Sequence, residues 1–341
     1  MPSFTCIPGN TGGRRPQVKE NSFDSALSPY IQGLLDQKRA LGFKYITEEH
    51  ILRSFDRYWC EKNGGMAVIT QESLEGWRKR RETEGIASQS IRISTVRQLS
   101  LYMNSIGIES FVPTDKYVKT HPAIHILSLS EISELFQIID SWHPKRPCQE
   151  TSRMAEEYRV LFRLILSTGL RRQEAVEIRI SDIEWDSMSI TVRGAKGRKD
   201  RLVYMAEDMS ALVRTYMQYI CRVTGYIPEW LFPSIDINEH VSGGGLSGRF
   251  RKFWEMTSFA GTCEKPPTIH ALRHTYVVLR MNKWMEEGED LQVMLPYLSR
   301  QLGHTSTNET FYYYHQVLDA FRIIRQKDTL ASRVIPEVRK R

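Results

Sequence analysis

Apolar side chains recur at three- and four-residue intervals in four stretches between residues 28 and 107, the spacing that gathers them on one face of a helix. The first stretch opens at Ser28, a residue type that caps helices, with Pro29 in the first turn, where a missing N–H costs nothing. In the second, Thr47 and Glu48-Glu49 precede Ile51, Leu52, Phe55 and Trp59, and Gly64-Gly65 closes it. Thr70 opens a third that runs through Trp77. The fourth carries Ile91, Val96, Leu99, Tyr102, Met103 and Ile106 up to Gly107. The pattern predicts an all-helical domain over residues 22–110. Residues 1–21, rich in Gly, Pro and basic side chains, are expected to lack fixed structure.

Residues 111–126 hold Pro113 and Pro122 and no sustained period, and read as a linker. A second domain, 127–335, then opens on Ser128-Leu129-Ser130-Glu131, a capping box ahead of Ile132, Leu135, Ile138 and Ile139. A helical stripe of Tyr158, Leu161, Leu164 and Ile165 leads to Thr168-Gly169-Leu170-Arg171. Residues 188–193 and 200–205 form the clearest β-hairpin, turning through Gly194-Ala195-Lys196-Gly197. Helical patterns dominate afterwards. Residues 233–248, with Gly243-Gly244-Gly245, read as a flexible loop, and 336–341 as a basic tail. The fold class expected is mainly α with a small β-sheet.

At 341 residues the chain can bury two separate cores. Hydrophobic content of 41% with 26% charged residues fits a soluble globular protein. No run of about 18 apolar residues occurs, so no membrane span is expected. The first residues lack a basic-then-apolar leader pattern. Five cysteines, odd in number, are scattered without a Cys-x-x-Cys pair, which supports neither a disulfide framework nor a thiolate zinc site. A reducing cytoplasm is the expected location. The net charge of +7 favours encounter with polyanions. The run Arg78-Lys79-Arg80-Arg81, with Arg92 and Arg97 beyond it, is either a solvated charged face or a grip for phosphates.

The candidate chemistry changes the picture most. Cutting a phosphodiester needs fixed positive donors, a nucleophile, and an acid for the departing oxygen. Arginine suits the first role, because its planar fork can hold two non-bridging oxygens at once. Arg171 and Arg273 are the candidates. His270 and His274 are four residues apart and share a helical face, but Ala271 removes the glutamate of the His-Glu-x-x-His zinc motif, so no metal is expected. Tyr312, Tyr313 and Tyr314 are adjacent. Neighbours on a helix point about 100° apart, so only one can face a phosphate.

Thr168-Gly169-Leu170-Arg171, the lysine-bearing hairpin, His270-Ala271-Leu272-Arg273-His274, Leu302-Gly303-His304 and the late tyrosines stand in an order that resembles the tyrosine recombinases, the integrase family of site-specific DNA recombinases. The resemblance covers roughly residues 25–330. It implies a SAM-like helical core-binding domain, whose basic residues clamp one side of the duplex, and an α+β catalytic domain. It implies that Arg171 and Arg273 hold the scissile phosphate, with Glu174 supporting them. Lys196, on a turn written Ala-Lys-Gly where the family has Gly-Lys-Gly, would protonate the leaving 5′ oxygen; Lys199 is the alternative. His270 would transfer a proton or bond the phosphate, His274 would pack, and His304 would brace phosphate and tyrosine. The family's nucleophile falls nine residues after its Gly-His histidine, which selects Tyr313.

The reaction so implied needs no cofactor: a 3′-phosphotyrosyl bond conserves the energy of the cut, and rejoining passes through a Holliday junction. Partners would be double-stranded DNA and three further copies, a homo-tetramer on paired sites that is monomeric or weakly associated without DNA. The stretch 321–341 would dock on a neighbouring copy. Rival readings are a type IB topoisomerase, a non-catalytic DNA-binding regulator, and a metal-dependent nuclease, the last lacking a carboxylate cluster near the histidines. Integration, excision, transposition and resolution remain equally open roles.

Overall fold

The computed structural model describes residues 23–115, 117, 125–194, 200–263, 265–304, 306, 307, 309 and 310. The expectations for residues 1–21, Lys196, Tyr313 and the basic tail therefore lie, wholly or almost wholly, outside the described residues. The chain divides into two compact units, Met1–Pro122 and Ala123–Arg341.

The first unit is four helices: α1 (Ser28–Ala40), α2 (Ile46–Asn63), α3 (Gln71–Arg78) and α4 (Ile86–Ser105). Their apolar stripes meet in one core of Ile31, Leu34, Leu52, Phe55, Trp59, Trp77, Val96 and Leu99. Each such side chain contributes roughly 1.5–3 kcal/mol by leaving water. Phe55 packs against the rings of Trp59 and Trp77 at 5.4 and 5.0 Å between centroids. Thr70 caps α3 as its sequence suggests, its side chain accepting from the Ser73 N–H at 3.2 Å. Ser28 is not a cap. It is the first helical residue, and Leu27 precedes it. The Leu27 N–H is taken by Ser25 Oγ, and Ser25 is in turn held by the Asp56 carboxylate on α2.

The basic residues of this unit separate into two groups. Arg92 faces inward and is 4% exposed. Its guanidinium donates to both carboxylate oxygens of Glu84 at 2.7 Å and to the carbonyls of Trp77 and Lys79. An arginine so engaged ties the end of α3 to α4 and stands apart from the exposed basic side chains. Arg78 forks onto Asp115 at 2.6–3.2 Å. Lys79, Arg80, Arg81 and Arg97 are exposed.

The second unit is built around α6 (Gln149–Thr168), which packs against α5 (Leu129–Ser141), the short α7 (Arg172–Val176), α8 (Glu207–Thr224) and α10 (His270–Glu287). The Ser128 capping box at the start of α5 forms as read. A three-stranded antiparallel sheet lies in the order β1 (Ile183–Glu184), β2 (Ser189–Val192), β3 (Arg201–Tyr204). The expected hairpin is β2–β3, in register Ile190 with Val203 and Val192 with Arg201. The short β1 has no counterpart in the sequence reading, because two residues are too few to show alternation.

Residues 233–248 are not wholly a loop. Helix α9 (Gly243–Glu255) starts inside the glycine run. Ser242 Oγ caps it by accepting from the Gly245 N–H at 3.0 Å. Leu246, Phe250, Phe253 and Trp254 then bury one face. Capping and burial outweigh the roughly 1 kcal/mol that each helical glycine costs. Helix α11 (Leu291–Leu302) packs on α10 and on β3, closing a second apolar cluster of Tyr276, Val277, Met281, Leu295, Leu298 and Leu302.

Candidate active site

The chain reverses sharply where α6 meets α7, and Gly169 makes that turn possible. It closes α6 in the left-handed region at φ 71°. A methyl group there would lie 2.5 Å from the Tyr276 ring and 2.8 Å from Leu302. Gly169→Ala is expected to cost about 2 kcal/mol or more, from the backbone strain and the overpacking together. Urea unfolding would read this as a lowered midpoint.

Glycine at 169 lets α10 and the end of α11 approach the Arg171 corner. Arg273, in the first turn of α10, is 1% exposed. It donates to Gly169 O at 2.5 Å and Leu302 O at 2.9 Å, and Nη2 stands 2.9 Å from His304 Nε2. A guanidinium can only donate, so His304 Nε2 accepts, and its proton sits on Nδ1. Nδ1 lies 2.8 Å from Thr310 Oγ1, which is also 2.8 Å from Ser299 Oγ. Thr310 is fully buried. The histidine thus links the arginine of α10 to the stretch that precedes the three tyrosines.

Arg171 caps α7 and is bound to Glu174 twice. Its backbone N–H donates to Oε2 and its Nη1 to Oε1, each at 2.8 Å. Its Nη2 reaches Gly303 O at 3.3 Å. The second partner of Glu174 is Arg201 on β3, donating at 3.0 and 2.7 Å, while its Nε holds Gln301 O at 2.8 Å. One carboxylate therefore clamps two guanidiniums, and one of these also fastens the end of α11. Burial alone would raise the Glu174 pKa, but the bonds to Arg201 and Arg171 override it and hold the carboxyl at about 2.

The histidines are shifted the other way. Desolvation, then Arg273 and Arg171, lower His270 to about 4. Desolvation and Arg273 likewise bring His304 to about 4. His274, desolvated and beside His270, falls to about 3, and the two rings meet edge to face at 4.4 Å. All three are neutral at pH 7. Because an unfolded histidine takes its proton near 6.5, the unfolded chain binds more protons below that pH. Their contribution to stability is complete above about 6.5 and is lost as pH falls towards 4. Loss of the Glu174 clamp follows, between about 4.5 and 2. Unfolding midpoints should hold from pH 7.5 to about 6.5 and fall from there towards pH 4, and a profile flat over the whole range would contradict this.

Five of the sequence-derived residues thus come together: Arg171, Glu174, His270, Arg273 and His304. A cleft of about 750 Å³ opens beside Arg171 and His270, walled by Phe250, Arg251 and Pro267. Lys196 and Tyr313 fall outside the described residues, as do Lys199, Tyr312 and Tyr314. Lys79, Arg80, Arg81 and Arg97 belong to the other unit. Two participants were missed. By sequence Arg201 is one more charge beside a basic turn, and Thr310 carries no assigned role. Only the docking of α11 on β3 and the bonds of Thr310 to Ser299 and His304 give them partners.

Residues 126–319 match the family model described as phage integrase family. Among curated proteins, the chain is 26% identical to a Sinorhizobium fredii protein, y4rB, that bears the name integrase/recombinase, over 83% of this chain and 90% of that one. It is 27% identical to the tyrosine recombinase XerC of Oceanobacillus iheyensis, over 69% of this chain and 72% of that one. Among solved structures, it resembles the XerH site-specific recombinase bound to difH substrate, with TM-score 0.61, 17% identity, and coverage of 88% of this chain and 83% of that one. It also resembles a lambda integrase tetramer bound to a Holliday junction, with TM-score 0.60, 19% identity, and coverage of 86% and 78%. The mainly helical fold with its small sheet is the one these recombinases share. The family match spans more than half of the chain, and with the relatives it settles membership: the chain belongs to the phage integrase family, the tyrosine recombinases.

Proposed function

We propose that the protein is a site-specific DNA recombinase that cuts and rejoins duplex DNA through a 3′-phosphotyrosyl intermediate. The observation that carries this reading is the junction of Arg171, Glu174, Arg273 and His304, drawn from the α6–α7 corner, α10 and the end of α11. Arg171 and Arg273 supply the positive charge that meets the non-bridging oxygens of the scissile phosphate. Negative charge grows on those oxygens as the nucleophile arrives, and donors fixed in advance need no rearrangement to meet it. Glu174 and Arg201 hold Arg171 in place. His270, neutral at pH 7, can carry a proton or bond a phosphate oxygen.

Tyr313 attacks phosphorus, breaking the bond to the 5′ oxygen, and Lys196 gives that oxygen its proton. The free 5′ hydroxyl of a partner duplex then reverses the step, so strand exchange needs neither ATP nor a metal. His304 acts from the side, bonded to Arg273 and to Thr310 three residues ahead of Tyr313. Four copies on two duplexes complete the exchange, with Lys79, Arg80, Arg81 and Arg97 of the helical unit on the DNA backbone. Relatives bound to a substrate duplex and to a Holliday junction support that assembly.

The test uses synthetic Holliday junctions assembled from DNA that flanks the coding sequence. Resolution into recombinant duplexes, undiminished by EDTA, is the expected result. Tight junction binding with no resolution on any flanking sequence, or cutting that requires a divalent cation, would overturn the proposal.

A further inference from the structure

Outside the candidate site, three side chains of complementary chemistry meet. His125 lies just before α5, Glu131 in the first turn of α5, and Cys263 in the loop between α9 and α10. His125 Nε2 is 2.9 Å from Glu131 Oε1, and its Nδ1 is 3.4 Å from Cys263 Sγ. Glu131 is 7% exposed, and its other oxygen accepts from the N–H and Oγ of Ser128 at 2.7 and 2.9 Å. The imidazole stands edge to face against Trp254 at 5.7 Å. Thr262 Oγ1 lies 3.7 Å from the sulfur.

A histidine, a cysteine and a carboxylate suggest a metal centre, but the geometry argues otherwise. A metal needs all its ligand atoms directed at one point about 2.0–2.3 Å from each. Here the ring stands between its partners and turns a different nitrogen to each. That is the order of a proton relay. An ionised carboxylate only accepts, so Nε2 carries the ring proton and Nδ1 turns a lone pair towards the thiol.

We propose that Cys263 is a nucleophilic thiol, with His125 as its base and Glu131 as the orienting carboxylate, and that it is a modification site for low-molecular-weight disulfides such as oxidised glutathione. The thiol proton passes to His125 Nδ1 while the sulfur attacks one sulfur of the disulfide. A new S–S bond forms as the old one breaks, and the departing thiolate takes the proton from Nδ1. The products are a mixed disulfide at Cys263 and one free thiol. Both arms of the relay lead into the helix of the candidate site. Cys263 is seven residues before His270, and the Leu127 N–H donates to Thr275 Oγ1 at 2.9 Å, two residues beyond Arg273.

The other cysteines supply internal controls. Cys60 and Cys148 are exposed, whereas Cys263 is half-buried. Exposure alone therefore predicts that Cys263 reacts more slowly. The full chain would be incubated with oxidised glutathione and each cysteine peptide followed by mass spectrometry over time. Cys263 is expected to react fastest, and His125→Gln to slow it by about 10²-fold, the low end for a positioned base, with Cys60 and Cys148 unchanged. If His125→Gln alters the control rates, and so the fold, Glu131→Gln gives the second reading, because glutamine can keep the capping box. That variant is expected to slow Cys263 alone. A Cys263 rate no faster than the controls, or unaffected by the variant that leaves the controls intact, would overturn the proposal. So would stoichiometric retention of added zinc that Cys263→Ser abolishes, which would make the cluster a metal site.

Discussion

Replacing Arg273 by alanine is expected to slow strand cleavage at least ~10²-fold, the scale for removing one preorganised donor from an anion site. This side chain does more than meet a phosphate. At 1% exposure it also neutralises the carbonyls of Gly169 and Leu302 and fixes the tautomer of His304. Truncation strands those carbonyls in the interior, and each unsatisfied group costs about 1–3 kcal/mol. Two effects should therefore appear together: a lowered unfolding midpoint and a chemical defect that persists where the variant is fully folded. Arg273→Lys separates them in part. An ammonium keeps the charge, but it lacks the planar fork that spans two carbonyls and a histidine. Single-turnover cleavage of a nicked duplex, measured beside urea unfolding, checks both. Cleavage near the wild-type rate would remove Arg273 from the catalytic assignment.

Tyr313→Phe is expected to abolish the covalent protein–DNA adduct while leaving DNA binding intact. The variant removes one oxygen, and no other side chain can form a phosphotyrosyl ester from that position. A tyrosine hydroxyl titrates near 10 in water, so in attack it must surrender its proton beside cations. In the proposed reaction those cations are Arg171 and Arg273. Thr310, buried and bonded to His304 and Ser299, lies three residues before Tyr313 in the sequence. Tyr312→Phe and Tyr314→Phe should retain adduct formation. An adduct that survives in Tyr313→Phe would transfer the role of nucleophile to a neighbour.

Much of this is legible in the sequence, and the reasons differ by element. The helices of the first unit are legible because spaced apolar residues on each meet in one core, as with Leu52, Phe55 and Trp59 on α2, although Ile91 on α4 stays exposed. The site arginines and histidines were legible because a family motif holds each in a short run of chain. What escaped depended on contacts between distant segments. Nothing near Arg201 in sequence reveals that Glu174 and the Gln301 carbonyl await it. The resemblance likewise groups Arg92 with basic residues that clamp the duplex, although Glu84 and two carbonyls claim it. The glycine run at 243–245 looked flexible until the Ser242 cap and the aromatic face of α9 were set against it. Propensity lost there to tertiary burial.

Trapping the intermediate tests the central claim most directly. Nicked duplexes tiled across DNA flanking the coding sequence would be incubated with the wild-type protein in EDTA, denatured, and digested. Mass spectrometry would then locate the nucleotide on the peptide. Phosphotyrosine at Tyr313, linked to a 3′ end, is the predicted result. An adduct on any other residue, or tight and specific binding that never yields an adduct on the bound site, would contradict the account.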